Sequence, residues 1–208
     1  LNNSVPEEES KMFGSMIMMF KRLLNERSKK QKKRSMLTIA LQVNASVYNA
    51  LPLQKITPLV DWFHVMAYNF ASVGSDGTGF NAPICNPWSS FSVDNAISGL
   101  MNAGVSPNKL VLGVPLYGQV FDNTTSKLGS PFAKTDVTGA ISFERIQNLY
   151  GNNDACHYKW HDKSSVPYLY CPEDKIFVSF DDERSVKKKV EYAQQKLLKG
   201  VVLWKLSG

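Results

Sequence analysis

No stretch of the 208-residue sequence reaches 18 consecutive apolar residues, so no segment has the makings of a membrane-spanning helix. Leu1 to Glu9 is polar and acidic, not basic and then apolar, so these residues are not expected to form a secretory leader. Cysteine is scarce. Of the three present, Cys85 stands alone, while Cys156 and Cys171 sit 15 residues apart in a loop-rich stretch. That pair reads as a disulfide, as half of a zinc site with His157 and His161, or as two free thiols. The zinc spacing matches no standard finger pattern.

The excess of positive charge is local. Residues 1–34 carry nine Lys/Arg against four Glu, and the remainder carries 15 basic against 14 acidic residues. The run from Arg27 to Arg34 therefore accounts for most of the net +6. It lacks the interleaved aromatics or recognisable module of a nucleic-acid binder. A solvated helix end followed by a loop is the simpler reading, since cations suit the negative end of a helix dipole. Otherwise 43% hydrophobic and 20% charged residues describe an ordinary globular chain, long enough to bury a sizeable core.

Along the chain, helical and strand-like segments alternate. Ser4 and Glu7 have capping-box spacing, with Pro6 in the first turn. Met12, Phe13, Met16, Phe20, Leu23 and Leu24 then recur at helical spacing and predict an inner, core-filling face. Met36 to Leu41 reads as a short buried strand, Val47 to Leu59 as a helical segment broken by Pro52 and Pro58. Val60 to Phe70 is apolar enough for a strand buried on both faces, as in a parallel sheet. His64, inside it, reads as a satisfied core histidine. Residues 71–90 are long enough to be a functional loop, and Trp88 in it faces either a ligand or the core. Ser92 caps a helix from Val93 to Ala103 that Gly104 stops. Lys109 to Leu116 is another buried strand. From Gly118 to Asp182 short alternating stretches flank one helix, Ser142 to Tyr150. Asp181 or Asp182 caps a last helix, Glu183 to Lys199, with Val186, Val190, Ala193 and Leu197 inward. Val201 to Leu206 is the last strand. This alternation predicts an α/β protein with a parallel sheet.

Three of these stretches, in order, resemble the glycoside hydrolase family 18 enzymes, the chitinase family. Met66-Ala67-Tyr68-Asn69 is similar to the Met-x-Tyr-Asp that ends the family's sixth barrel strand, with Asn69 in place of aspartate. Lys109 to Phe121 resembles the seventh strand, with Gln119 where arginine is usual. Gly200 to Gly208 resembles the eighth, including its strand-end tryptophan, Trp204. The resemblance implies the C-terminal half of a TIM (β/α)8 barrel, strands 5–8, formed by residues 1–117 and 183–208. A small α+β insertion, residues 118–182, would lie between strands 7 and 8. An eight-stranded barrel needs about 250 residues, and four strands alone leave open edges. The chain is therefore expected to be part of a longer one, the more so because a helix and not a strand comes first.

What the resemblance implies chemically is retaining hydrolysis of β-1,4-linked N-acetylglucosamine polymers, with the sugar's own acetamido oxygen as nucleophile. No cofactor or metal is implied. The partners would be chitin or chito-oligosaccharides and the missing half-barrel, not nucleic acid or membrane. Tyr68 would orient the acetamido oxygen, and Asn69, keeping hydrogen bonds but no charge, would stand where an aspartate stabilises developing cation. Met66, Tyr117, Gln119 and Trp204 would line the substrate wall, Trp204 stacking under the sugar. The family's general acid ends an Asp-x-x-Asp-x-Asp-x-Glu pattern, which these 208 residues do not contain. The alternative is a catalytically silent chitin-binding lectin. Asn2, Asn44 and Asn123 begin Asn-x-Ser/Thr triplets, candidate glycosylation sites that with a Cys156–Cys171 bridge lean towards secretion.

Overall fold

The computed structural model describes residues 6–206, so Asn2 and the Ser4 half of the capping box lie outside the described residues. The elements in order are α1 (Glu7–Gln31), β1 (Thr38–Gln42), α2 (Ala45–Tyr48), α3 (Leu53–Ile56), β2 (Trp62–Met66), α4 (Val93–Asn102), β3 (Leu110–Pro115), β4 (Tyr117–Phe121), β5 (Gly139–Ser142), α5 (Phe143–Ile146), β6 (His157–His161), β7 (Val166–Cys171), β8 (Ile176–Ser179), α6 (Glu183–Gln195) and β9 (Gly200–Trp204). Two sheets result. One has four strands in the order β1-β2-β3-β9, and the other five in the order β5-β4-β8-β7-β6. β1 with β2 and β2 with β3 pair in parallel, whereas the pairs within the five-stranded sheet are antiparallel.

The chain divides into two compact units, residues 1–66, 96–112 and 193–201 in the first and 67–95, 113–192 and 202–208 in the second. In the first unit, Leu41, Phe63, Val65, Leu110 and Leu112 are buried from the parallel strands, and Ile56, Ile97 and Leu100 from the helices. β3 is buried at all six positions, as a strand covered on both faces must be. β2 is not. It is shorter than its apolar stretch, and burial alternates, with Phe63 and Val65 inside and Trp62, His64 and Met66 half-exposed. His64 is satisfied all the same, its Nε2 accepting from Trp62 Nε1 at 2.9 Å.

α1 departs most from its predicted face. It buries Gly14 and Ile17, while Met12 (71% exposed), Met16, Met19, Phe20 and Leu23 lie open. At 100° per residue, positions 12, 16, 19 and 23 form one stripe turned away from the buried side. The helix has two apolar sides and uses the narrower one, where Gly14 lets Pro52 approach. Pro6 precedes the helix and does not lie in its first turn, and α1 runs through most of the basic run to Gln31, with Lys32 in the left-handed conformation beyond.

In the second unit one cluster gathers Val120, Ile146, Leu169, Val178 and Phe180, and another Phe80, Phe121, Val166 and Phe177. Cys156 and Cys171 are joined by a disulfide, which removes both thiols from any zinc site, and Cys171 sits in the first cluster. The helix expected from Ser142 to Tyr150 is a four-residue α5, capped by Ser142, followed by a wider turn at Gln147–Gly151.

α6 also turns differently from its pattern. The inward residues are Ser185, Lys189, Tyr192 and Ala193, whereas Leu197 lies beyond the helix end and is 74% exposed. Asp182 caps the start, its Oδ1 accepting from Ser185 N–H at 2.8 Å. Asp181 does something else. It forms an ion pair with Lys189, with neither side chain more than 1% exposed, and accepts from Ser185 Oγ at 2.7 Å. Burial pushes the Lys189 ammonium pKa down, and the adjacent Asp181 carboxylate opposes that.

A second carboxylate ties the first unit together. Asp61 accepts from the Leu37 backbone N–H at 2.8 Å and lies against Lys21 and Arg34. Burial acts to raise its pKa, but the Leu37 N–H and then the Arg34 and Lys21 cations prevail and hold it below the usual value. A lowered folded-state pKa contributes stability above the unfolded value, about 3.9, and loses it as pH falls through the folded value. Asp61→Asn should therefore cost about 1–2 kcal/mol at pH 7, allowing for solvent screening at exposed Arg34, a cost that shrinks as pH falls through the folded value, read by denaturant unfolding at pH 7 and across an acid series. Lys189→Met, which leaves Asp181 buried and unpaired, should cost about 3–5 kcal/mol, and adding Asp181→Leu should recover most of that loss.

Candidate active site

Past β2 the chain continues Ala67-Tyr68-Asn69, and Asn69 has φ 61°. Asparagine tolerates this left-handed conformation better than most residues, which lets the chain turn sharply here. Asn81, fully buried, holds that turn. Its Oδ1 accepts from Asn69 N–H at 3.0 Å, its carbonyl from Phe70 N–H at 3.0 Å, and its Nδ2 donates to the Tyr117 carbonyl at 3.2 Å. Its own N–H donates to Ser179 Oγ at 2.8 Å. Asn81 lies in the 71–90 loop, where the sequence pattern does not distinguish it. An asparagine in a loop is common, and only the fold shows that this one bonds to three separate segments.

β4 supplies the facing side chains. Side chains two apart on a strand share a face, so Tyr117 and Gln119 point the same way. Both donate to Asn69 Oδ1, Tyr117 Oη at 2.8 Å and Gln119 Nε2 at 3.0 Å. Between them Gly118 packs flush on β8. A Cβ there would lie 2.5 Å from the Ser179 carbonyl oxygen, so a larger residue would displace the strand that presents both donors. Gln119 is buried, whereas Asn69 is exposed.

Tyr68 meets Tyr117 edge to face, with ring centroids 6.0 Å apart. Burial raises the pKa of both phenols, so both stay protonated and able to donate. Trp204 ends β9, 55% exposed, and its carbonyl accepts from Leu116 N–H at 2.7 Å. Asn69, Tyr117, Gln119 and Trp204 together line a pocket of about 510 Å³, along with Ser72, Val73, Leu116, Ala140, Ile141, Ser142 and Lys205. Met66, the last residue of β2 in the first unit, is not among the lining residues. None of the lining residues is acidic. The pocket offers an indole face, hydroxyls and amides, a chemistry suited to holding a polyhydroxylated ring but without a group to protonate a leaving oxygen.

Outside the pocket, Trp88 is 64% exposed with its ring 5.2 Å from that of His161, whose pKa burial lowers. Asn44 and Asn123 are both exposed. Asn44 caps α2, accepting from Ser46 N–H.

Comparison with known proteins agrees with this architecture. The family model for glycosyl hydrolases family 18 matches residues 2–208. The chain belongs to that family. It is 31% identical over 224 aligned residues to chitinase A1 of Niallia circulans, covering 99% of this chain and 32% of the relative. To the class V chitinase CHIT5 of Lotus japonicus it is 28% identical, covering 89% and 49%. Among solved structures, chitinase ChiA74 from Bacillus thuringiensis superposes with a TM-score of 0.90 at 29% identity, over 99% of this chain and 37% of that one. A family 18 chitinase from Cycas revoluta, solved in complex with (GlcNAc)3, gives 0.86 at 29% identity, over 97% and 60%. The chain thus spans about a third to a half of the length of these curated relatives, and its α/β fold is that of TIM-barrel chitinases.

Because Asn81 satisfies several buried groups at once, Asn81→Leu should lower stability by about 2–4 kcal/mol, whereas Tyr117→Phe, which removes one partly exposed bond, should cost under about 1 kcal/mol. Denaturant midpoints of the two variants check that ranking.

Proposed function

We propose that these residues form the C-terminal half of a family 18 catalytic barrel, strands 5–8 with an insertion after the seventh, and that the complete protein hydrolyses β-1,4-linked N-acetylglucosamine polymers. The observation that carries this reading is the pocket in which Trp204, Tyr117, Gln119 and Asn69 converge. The Cycas revoluta relative, solved with (GlcNAc)3, supports the choice of sugar. The exposed stripe of Met12, Met16, Met19 and Leu23 supports the half-barrel, since an apolar stripe of this kind is normally covered.

In the mechanism, the sugar at the cleavage position lies on the Trp204 indole, whose face suits the C–H-rich side of a pyranose. Tyr68, protonated, donates to the acetamido oxygen and turns it towards the anomeric carbon, so that an internal nucleophile replaces a carboxylate. Asn69 adds a neutral hydrogen-bonding group beside it. The proton for the leaving oxygen comes from a glutamate outside these 208 residues. Secretion fits the disulfide and the exposed Asn44 and Asn123 sequons, given that disulfides persist in oxidising compartments.

A second reading, a chitin-binding lectin, is favoured by one observation: no carboxylate lines the pocket. Both readings require sugar binding at Trp204. Trp204→Ala should weaken (GlcNAc)4 binding at least about tenfold, or roughly 1.4 kcal/mol, measured by calorimetry. Undiminished binding would sink both. Release of reducing ends from chitin by the full-length protein separates the enzyme from the lectin.

A further inference from the structure

No residue lining the Trp204 pocket is acidic, yet a carboxylate lies directly behind its wall. β4 and β8 pair antiparallel, with Gln119 opposite Ser179. Carried two residues on, that register sets Asp181 opposite Tyr117, and residues facing each other across antiparallel strands present their side chains on one side of the sheet. Gly118 fits the same register, since a Cβ on it would meet the Phe180 Cβ at 2.8 Å. Asp181 is buried, and its partners are one-sided. Lys189 Nζ and Ser185 Oγ both donate to Oδ1, while Oδ2 is buried with no hydrogen-bond partner among the described residues. Lys189 comes from α6 and Asp181 from the end of β8, so the negative end of the pair is the one joined to the wall. Its charge is felt there: burial is the main reason the Tyr117 phenol pKa is raised, and the Asp181 carboxylate adds to the rise.

From this arrangement we infer that Asp181 is a positioning residue for charge, whose carboxylate acts through the Tyr117 wall to give the sugar pocket a negative potential that no lining residue supplies. A buried charge is screened little by water or salt, and Lys189 anchors this one without cancelling it, because only one of its oxygens is paired. The potential favours a ligand or reaction stage that carries positive charge on the amino sugar. Hydrolysis by an internal acetamido oxygen passes through such a stage. The neutral amide oxygen bonds to the anomeric carbon, the glycosidic bond breaks with its electron pair, and the departing oxygen takes a proton from the acid outside these residues. The new ring is left with one positive charge, which a fixed negative charge behind the wall stabilises. Asn69, an amide, brings no charge of its own to that task.

The inference rests on the sugar-binding reading above, and its test separates the two. The full-length protein is compared with its Asp181→Asn/Lys189→Met variant, which removes both charges together and leaves no buried ion alone. Each is titrated by calorimetry with (GlcNAc)4 and with the same tetramer carrying one glucosamine unit, at about pH 6, where that amine is protonated. The variant should weaken binding of the amine-bearing tetramer about threefold more than that of (GlcNAc)4, whereas a merely structural disturbance weakens both alike. Equal changes in the two affinities overturn the role of Asp181 and leave the sugar site standing. A parent that binds neither tetramer overturns the sugar-binding reading as well. Should the double variant not fold, Asp181→Asn alone is read in the same way, since burial already favours the neutral amine of Lys189.

Discussion

The alternation of side chains along β4 is the constraint on which the site depends. Tyr117 and Gln119 reach one oxygen of Asn69 because a strand repeats every two residues, and because Gly118 between them lets β4 lie against β8 without a Cβ in the way. Asn81 completes the arrangement from the other side, fixing the turn at Asn69 through hydrogen bonds to three segments, two of them through backbone groups and one through the Ser179 hydroxyl. The result is a preorganised polar wall whose members restrain one another, so that little ordering remains for a ligand to impose.

A second interior arrangement lies nearby in sequence. The acid pair that begins α6 is split between two tasks, Asp182 capping the helix and Asp181 pairing with Lys189. An ion pair buried this completely is a weak source of net stability, since desolvation offsets much of the attraction. It is nonetheless a strong determinant of how the helix is rotated, because neither partner can be buried without the other.

The family assignment and the composition of the pocket lead in complementary directions. The match along residues 2–208 is to a family of glycoside hydrolases, while the pocket contains hydrogen-bonding and stacking groups and no acid. A wall that orients a substrate and an acid that cleaves it are separable functions, because orientation lowers the entropic part of a barrier and proton transfer the electrostatic part.

Much of this protein was legible in its sequence. Alternating helical and strand patterns mark an α/β fold, and strand-end motifs point to Met66, Tyr68, Asn69, Tyr117, Gln119 and Trp204, of which Asn69, Tyr117, Gln119 and Trp204 line the pocket and Met66 and Tyr68 do not. Local chemistry also marks the Ser92 cap and the stop at Gly104, since such signals act within a few residues. The rotation of α1 and α6 was not legible. Periodicity places Met12, Met16, Phe20 and Leu23 on one face but cannot say whether that face meets a partner, and here the Gly14 side packs inward. Lys189 lies in a run of three lysines that reads as a solvated surface, and its burial follows only from Asp181 eight residues away being carried to the same interior point. Asn81 looks like any loop asparagine until three distant segments converge on it. Sequence alone determined the alternation of helical and strand segments and the residue types at the site, because propensity, capping and motif are local. Tertiary structure decided which faces are buried and which atom of Asn69 is engaged by β4, because both depend on partners distant along the chain.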